Sequence, residues 1–481
     1  MRDEVKVLVE NFSGQKWERN RHLQTEFYKR LAEEEFFTGT LTGELDFKAR
    51  DRITRAPKSL GLVNLSPQIA LTEAGEAYLY GPRPHEIFTR QLLKFQLPSP
   101  YHVDKGKTYW IRPYLELLRL IDELETLSKN EIAAFVTQLV HFRKYDEVKE
   151  KIRAFREAVK QLDRSKTRYN RYFHQVFSAE ILNVYAAQIN TGNFQLRESR
   201  STTLEKFIGA KKRNHLDYAD AAIRYLRETR LVSLTSGRSN RLYIPDAKRE
   251  EVAFILENTP REPQNVADID EFKAYLFDAS LPLLYTDDQE RLIQAVLALS
   301  SEQSRRELLR LSIEELKNIK EQLTRQRVET TLAEQINRLE LYEEYDDITE
   351  TYRDIIARQV FDAPLMLEWN TWRAFVMLDD GRIIGNFRFD DTGMPLSTAP
   401  GNQADILCQY DDFDVLVEVT LTRGARQYEA EGEPVARHSS QKPTAVTIKK
   451  FVEKAAQLAE EAKNEQAWYD ELRSLAANWV S

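Results

Sequence analysis

The chain has 481 residues, 42% of them apolar and 30% charged, with one cysteine and a formal net charge of −8. That describes a globular protein of about three domains with real cores and a heavily charged surface. It excludes an internal disulfide or a cysteine-based zinc site, and no apolar run approaches the roughly 20 residues that cross a bilayer. The first residues, MRDEVKVLVENF, lack the apolar core of a secretion signal, so a cytoplasmic protein with no membrane partner is expected.

The charge is unevenly spread. Residues 151–250 carry 21 Lys and Arg against 10 Asp and Glu, a local balance of +11 that leaves −19 for the rest. A locally basic, globally acidic chain can place a polyanion on one of its parts. Solvated helix faces are an equally good reading of charge alone.

In chain order, LQTEFYKRLAEEEF (23–36) has helical periodicity. After a turn at 38–43 comes DFKARDRITRAPKSLGLVNLS, a short basic helix leading to a small strand. LTEAGEAYLYG then closes the unit, with Thr72 as N-cap and Gly81 as its end. Helix, turn, basic helix and strand is the order of a winged helix-turn-helix. Lys48, Arg50, Arg52, Arg55 and Lys58 lie on or just after the second helix, where a recognition helix meets phosphates and guanine edges. Residues 88–160 read as a run of helices, with a loop at Pro98 and Pro100 and a capping box at Ser128–Glu131.

A second winged-helix candidate covers about 200–258. LEKFIGAKKRNH leads into YADAAIRYLRETRLVSL, and strands at 231–234 and 241–244 form a hairpin. Arg224, Arg227 and Arg230 recur at three-residue spacing, and Arg238 and Arg241 flank the hairpin tip, so these join the DNA-contact candidates. Protein–protein contact is the competing use of such a fold. TPREPQN (259–265) reads as a joint, and the charged helices to about 345 read as a linker bundle without a sustained heptad. The expected division is 1–160 and 161–262 for two winged-helix regions, 263–345 for a helical linker, and 346–481 for a last α/β domain. Within the last, ITETYRDIIARQVFDAPLMLEWNTWRAFVML reads as a helix running into strands.

Residues 399–438 carry the chemistry. Asp405 opens a short apolar run, Glu418 sits in the β-branched stretch FDVLVEVTL, and Glu431 follows. Twelve residues separate each acid from the next. Carboxylates on neighbouring strands suit a hard divalent cation, which takes oxygen ligands and keeps water and phosphate beside them. Strand, acid, a dozen residues, then acid on an apolar strand is the layout of the PD-(D/E)xK nuclease core. Taken alone, that spacing is frequent by chance.

Longer words narrow it. PLMLEWNTWRAF, APGNQADI, LVEVTLT and RQYEAEGEPVARH, with QLLKFQLPSPYH, WIRPYLELLRLIDEL and YADAAIRYLRETRLVSL, together resemble the AlwI-type family of type IIS restriction endonucleases. The resemblance implies an α+β, mainly helical chain. An N-terminal winged-helix region would read a short asymmetric sequence of double-stranded DNA. A helical linker would join it to a C-terminal PD-(D/E)xK domain that cuts a few base pairs to one side. It implies Mg2+, with Mn2+ as a substitute, held by Asp405, Glu418 and the backbone carbonyl of Val419. Glu368 would orient the water, Glu431 would act on it, and His438 would assist catalysis or serve as a structural hydrogen-bonding group. It also implies a separate cognate DNA methyltransferase, and a transient homodimer or second nuclease subunit for the second strand. Thr420 stands where the strict motif has lysine, and after His438 the chain departs from the family pattern into SSQKPTAVTIKKF. Three readings stay open: a double-strand restriction enzyme, a strand-specific nicking enzyme or large subunit of a two-subunit enzyme, and an inactive winged-helix DNA-binding regulator. A processing nuclease outside restriction, such as a mobile-element or repair enzyme, is a further class.

Overall fold

The computed structural model describes residues 1–421 except 35, 38, 102–108, 163–165, 195–202, 236–239, 266–267, 358–359, 379–380, 399–403 and 411–413. These residues are mainly helical with small sheets, an α+β arrangement. They divide into two compact units, 1–233 with 241–294, and 234–240 with the chain from Ala295 on. The expected boundary between 160 and 161 falls inside the first unit. No helix among the described residues is long and apolar enough to cross a membrane.

The first unit opens with α1 (Arg2–Phe12), α2 (Arg21–Leu31), α3 (Leu45–Arg55), β1 (Val63–Asn64), β2 (Ala70–Leu71) and α4 (Glu73–Tyr80). Val5 and Leu8 of α1, Leu23 and Phe27 of α2, and Ala49 and Ile53 of α3 are buried, so each helix gives one apolar stripe to a common core. Asn20 caps α2 by accepting the Leu23 N–H at 3.1 Å. α2 ends at Leu31, short of the expected 36. Thr72 caps α4 as expected, accepting from Gly75 N–H at 2.9 Å while its hydroxyl donates to the Gly61 carbonyl at 2.6 Å. Gly81 closes that helix. Gly75 is required by contact, because a Cβ there would stand 1.9 Å from the Leu62 carbonyl oxygen.

Next come α5 (Pro84–Lys94), α6 (Pro113–Leu124), β3 (Thr126–Ser128), α7 (Lys129–Ala134), α8 (Tyr145–Gln161), α9 (Lys166–Val184), α10 (Ala186–Asn190) and α11 (Leu204–Glu228). β4 (Ser233–Leu234), β5 (Arg241–Tyr243), α12 (Arg249–Asn258) and α13 (Ile269–Phe277) follow, and α14 (Gln289–Leu299) spans the division. The capping box at α7 forms as expected, with Glu131 N–H donating to Ser128 Oγ at 3.2 Å and Ser128 N–H donating to Glu131 Oε2 at 2.8 Å. Two expectations change. The 231–244 hairpin gains a third strand, in the order β3-β5-β4, with Leu127 opposite Leu242. And 204–228, read as two segments, is one helix of 25 residues that passes Gly209 without a turn.

Buried charges tie this unit together across long stretches of sequence. Glu131, almost fully buried, accepts from Arg156 Nε at 2.7 Å and from Arg241 Nη2 at 2.7 Å. Burial alone would raise its carboxyl, but these two guanidiniums and the Ser128 N–H hold it below the usual carboxylate range. Glu116 of α6 is 0% exposed and takes two hydrogen bonds from Arg261, at 2.9 and 2.6 Å. Gln96 and Gln264 exchange bonds of 2.9 and 2.7 Å nearby. The segment 259–265, expected as a joint, is therefore fastened to the body of the unit. On α5, Arg90 holds both oxygens of Asp287 at 2.8 Å. Fully buried Lys94 donates to the carbonyls of Leu276, at 3.3 Å, and Asp278.

The second unit has α15 (Arg305–Leu308), α16 (Ile313–Glu340), α17 (Tyr345–Ile356) and α18 (Ala363–Leu378), then β6 (Arg382–Gly385), β7 (Phe387–Phe389), β8 (Pro395–Thr398), β9 (Ile406–Gln409) and β10 (Asp414–Val417). The helix expected through 348–378 is two helices, α17 and α18, and Asp362 between them takes a positive φ of 42°. α18 is the core element, buried on nearly every side, including Trp369, Trp372, Phe375 and Met377. Its one buried cation, Arg373, pairs with Glu344 at 2.7 Å and Asp347 at 2.6 Å and lies 4.5 Å over the Trp369 ring. Two antiparallel sheets follow, β10-β9-β6 and the hairpin β7-β8, whose turn is closed by Asp390 accepting from the N–H groups of Thr392 and Met394.

Two predictions follow from the buried charges. Arg261→Ala leaves the Glu116 carboxylate buried without its partner and is expected to lower the unfolding free energy by about 3 kcal/mol. Urea denaturation reads this, and a loss below about 1 kcal/mol, the level of an exposed pair, would show that the pair does not hold the segment. Burial pushes the Lys94 ammonium down to about 8 from the ordinary 10.5. Between those values the unfolded chain holds a proton that the folded chain has released. Stability of the wild type relative to Lys94→Met should therefore rise with pH across that window, by roughly 3 kcal/mol in all, and stay flat below it. A difference between the two proteins that is independent of pH from 7 to about 10.5 would contradict this.

Candidate nuclease and nucleic-acid sites

The acids of 399–438 come together through strand register. β9 and β10 are antiparallel, with Val417 opposite Ile406, Leu416 opposite Leu407 and Val415 opposite Cys408. One step beyond the first of these pairs come Glu418 and Asp405. Val419 confirms the approach, because its N–H donates to Asp405 Oδ2 at 2.8 Å. On the other side of β9, the Asn386 N–H donates to the Asp405 carbonyl at 2.9 Å, just beyond the Gly385–Ile406 pair. Asp405 thus sits at the strand end with a backbone contact on each flank. Ile406 and Cys408 are fully buried, so alternation puts Asp405 and Glu418 on the opposite face, with Leu407 and Leu416.

Cys408 is the small buried hydrophobe its sequence setting suggests. Glu368 lies half-buried on α18 between buried Leu367 and Trp369. Among the described residues, no group of three or more His, Cys, Asp and Glu side chains closes around a metal position. The described chain therefore gathers two carboxylates and the Val419 backbone, without Glu368 in the same cluster. Glu431 and His438 lie outside the described residues, and Arg238 does too.

The cations expected to touch DNA sort into three groups in the first unit. On α3, Lys48 donates to the Thr40 and Thr42 carbonyls at 2.9 and 2.7 Å, and Arg50 meets Asp46 at 3.1 Å and Gln24 at 3.1 Å. Arg52 pairs with Glu4 and lies 5.2 Å from the Phe37 ring centre, bracing α3 on α1. Arg55 pairs with Asp51 within its own turn, while Lys58 reaches Glu18 at 3.9 Å and sits over the Tyr101 ring. Each of the five is already engaged. On α11, Arg224 is exposed, but Arg227 is 1% exposed. This corrects the expectation for Arg227: it lies on the face of α11 that buries Ile223 and Leu226, where DNA does not reach. Arg241 is turned to Glu131 and donates from Nε to Thr126 Oγ1 at 2.8 Å, as part of the β3–β5 contact.

The third group was not singled out from the sequence, although it lies in the counted basic stretch. Exposed Arg171 on α9, and exposed Lys206 and Arg213 on α11, have no acid partner among the described residues. Their signal is local: acids are scarce at the neighbouring helical spacings, whereas α8 interleaves the two signs.

Residues 58–447 match the family described as the AlwI restriction endonuclease. The chain belongs to this family. Both Asp405 and Glu418, and every cation discussed except those of α3, fall within the matched span. None of the curated proteins matches. Two solved structures are similar in part. One is the small subunit, R.BspD6I2, of the heterodimeric restriction endonuclease R.BspD6I, 36% identical over 19% of this chain and 50% of that one, with a TM-score of 0.18. This chain thus spans half the length of that subunit. The other is the BpuJ1 endonuclease binding domain, determined with pyrene- and phenanthrene-modified DNA, 17% identical over 58% of this chain and 90% of that one, with a TM-score of 0.34.

For this AlwI-family chain, the partners of the α3 arginines predict different outcomes for adjacent residues. Arg52→Ala should cost about 1.5 kcal/mol by removing a charge-assisted bond between helices. Arg55→Ala should stay within about 0.5 kcal/mol of wild type. Thermal or urea melts of the two variants compare them directly, and equal losses would show that the contact of Arg52 with α1 is not structural.

Proposed function

We propose that the chain is a site-specific endodeoxyribonuclease of type IIS that depends on Mg2+, with Mn2+ able to substitute. It reads a short asymmetric sequence in double-stranded DNA with its first unit and hydrolyses phosphodiester bonds a few base pairs away with its second. The observation that carries this reading is the β9–β10 register, which sets Asp405 beside Glu418 within the span matched by a restriction endonuclease family. The sequence α18, β6, β9, β10, a helix followed by an antiparallel sheet with acids at the strand ends, supports a PD-(D/E)xK core. The order α1–α3, β1–β2, α4 supports a winged helix in the recognition region.

The donor set fits a hard cation: two carboxylates and the Val419 carbonyl are all oxygen ligands, and Mg2+ fills its remaining positions with water and phosphate oxygens. When bound, the ion would supply charge stabilisation for in-line attack of water on the phosphodiester. The chain's own part is positional. The Val419 N–H holds one oxygen of Asp405 and so fixes the direction of the other. Glu368 would orient the attacking water, Glu431 would take its proton, and His438 would touch phosphate or water. Exposed Arg55 and Arg224 remain candidates for phosphate contact. The protein would work in the cytoplasm alongside a separate methyltransferase that protects host sites.

The chain presents one such acid pair among its described residues, which suits one strand. Cleavage of the second strand then needs a transient homodimer or a second nuclease subunit, and without either the enzyme nicks. Digestion of a sequenced plasmid with Mg2+, with ends mapped on both strands, tests all of this. Breaks at a fixed offset from one sequence are expected, and randomly placed ends would sink the restriction reading. Asp405→Ala and Glu418→Ala should each slow cleavage by at least about 100-fold, the scale of removing a principal transition-state stabiliser, while duplex binding persists. Unchanged rates would remove these residues from the site, and a wild type that binds its site but never cuts would leave a DNA-binding regulator.

A further inference from the structure

We propose that the solvent face of α9 and the first half of α11 is the surface on which duplex DNA is held by its phosphate backbone, independently of sequence. This rests on the reading that DNA is the substrate and assigns the holding to helices other than α3.

The surplus charge of residues 151–250 is not shared evenly. On α8 the cations are matched: Lys151 meets Glu180 at 2.9 Å, Arg153 meets Glu150 at 2.6 Å, Arg156 meets Glu131 at 2.7 Å and Lys160 meets Glu157 at 2.6 Å. Residues 166–174 and 204–215 together hold seven Lys and Arg against one acid, Glu205. The net positive charge therefore resides on α9 and α11. Lys206 and Arg213 lie seven residues apart, two helical turns or about 10.5 Å, on one side of α11.

The two helices are fastened to each other in a way that keeps the charge outward. The Lys212 ammonium donates to the His174 carbonyl of α9 at 2.8 Å, and Arg171 is exposed one turn earlier. Lys211 lies 4.2 Å over the Tyr185 ring. Buried His215 bridges Thr137 Oγ1 at 2.8 Å and the Tyr185 hydroxyl at 3.2 Å, so the underside of the stripe is a fixed polar core. An extended row of cations on a rigid pair of helices fits a regular polyanion. Its affinity comes from released counterions and carries no base preference.

The test measures binding of the full-length protein to a duplex oligonucleotide without divalent metal, as log K against log salt. Each lost phosphate contact lowers the slope by about 0.9. Lys206→Ala/Arg213→Ala should lower it by about 2 and Arg171→Ala by about 1, with cognate and random duplexes weakened alike. Arg213→Lys should keep the wild-type slope. Arg153→Ala/Lys160→Ala, the same charge change on α8, should leave the slope in place. An unchanged slope in the α9 and α11 variants, or an equal fall in the α8 control, overturns the proposal. If those variants keep the slope while the wild type cuts at a fixed site, this surface fails and the nuclease reading stands. If the slope falls but no fixed-site cleavage occurs, the surface stands and the nuclease reading fails.

Discussion

The candidate chemistry of the second unit depends on one strand register. Ile406 faces Val417 because Ile406, Cys408 and Val415 are all buried on one side of the sheet. Slipping β9 by one residue would turn Ile406 and Cys408 to the open face and drive Asp405 into the core. Exposing an isoleucine costs about 2 kcal/mol, and burying an unpaired carboxylate costs more. The acids therefore occupy their positions as a consequence of apolar packing one residue away. The Val419 N–H adds a local latch on Asp405, but the latch can form only after the register has been chosen. Behind the sheet, Trp372 contacts the ring of Phe387 edge-on, at 6.2 Å between centroids, so the strands are laid against a helix that is buried almost all round.

The first unit uses charge for a different end. Its buried carboxylates sit early in the chain and their guanidinium partners come later: Glu116 waits for Arg261, and Glu131 waits for Arg156 and Arg241. Arg90 likewise reaches Asp287. A buried ion without its partner is strongly destabilising, whereas the pair itself adds little over an apolar substitute. Such pairs act as closure conditions. They require the segments around 241, 261 and 287 to return to helices laid down before residue 135, and this is why boundaries that look natural in a linear reading lie within one unit.

Local physics was legible and distant pairing was not. The Thr72 cap, the Ser128–Glu131 capping box, Gly81 as a helix end and Asp405 at a strand edge all follow from neighbours within four residues. β3 escaped because three residues after a strongly apolar helix carry no strand pattern of their own, and their partner, β5, lies more than a hundred residues on. α11 was read as two segments because Gly209 and a polar run interrupt the apolar periodicity, while Phe207, His215 and Ala219 keep the buried face continuous. Arg224 and Arg227 look equivalent by spacing, yet three residues is less than one helical turn, and that offset is enough to carry Arg227 onto the buried side. The pairing of Asp405 with Glu418 was anticipated from acid spacing; the amide that holds Asp405 belongs to Val419, which had been considered only for its carbonyl.

Charge is the case in which sequence and structure must be read together. A sum over a hundred residues treats every lysine and arginine as available, but availability depends on what each side chain already holds. α3 has the look of a recognition helix, and yet Arg52 is committed to α1 and Lys48 to the preceding loop. To bind phosphate, such a residue must first give up a protein partner, so the net gain is the difference between two similar contacts. Exposed cations with no acid within a turn face no such exchange, since they trade only water and counterions for phosphate. By that criterion, electrostatic attraction of DNA belongs to the helices whose charge is least answered within the protein, and the paired arginines of α3 are better suited to setting the geometry of the helix they brace.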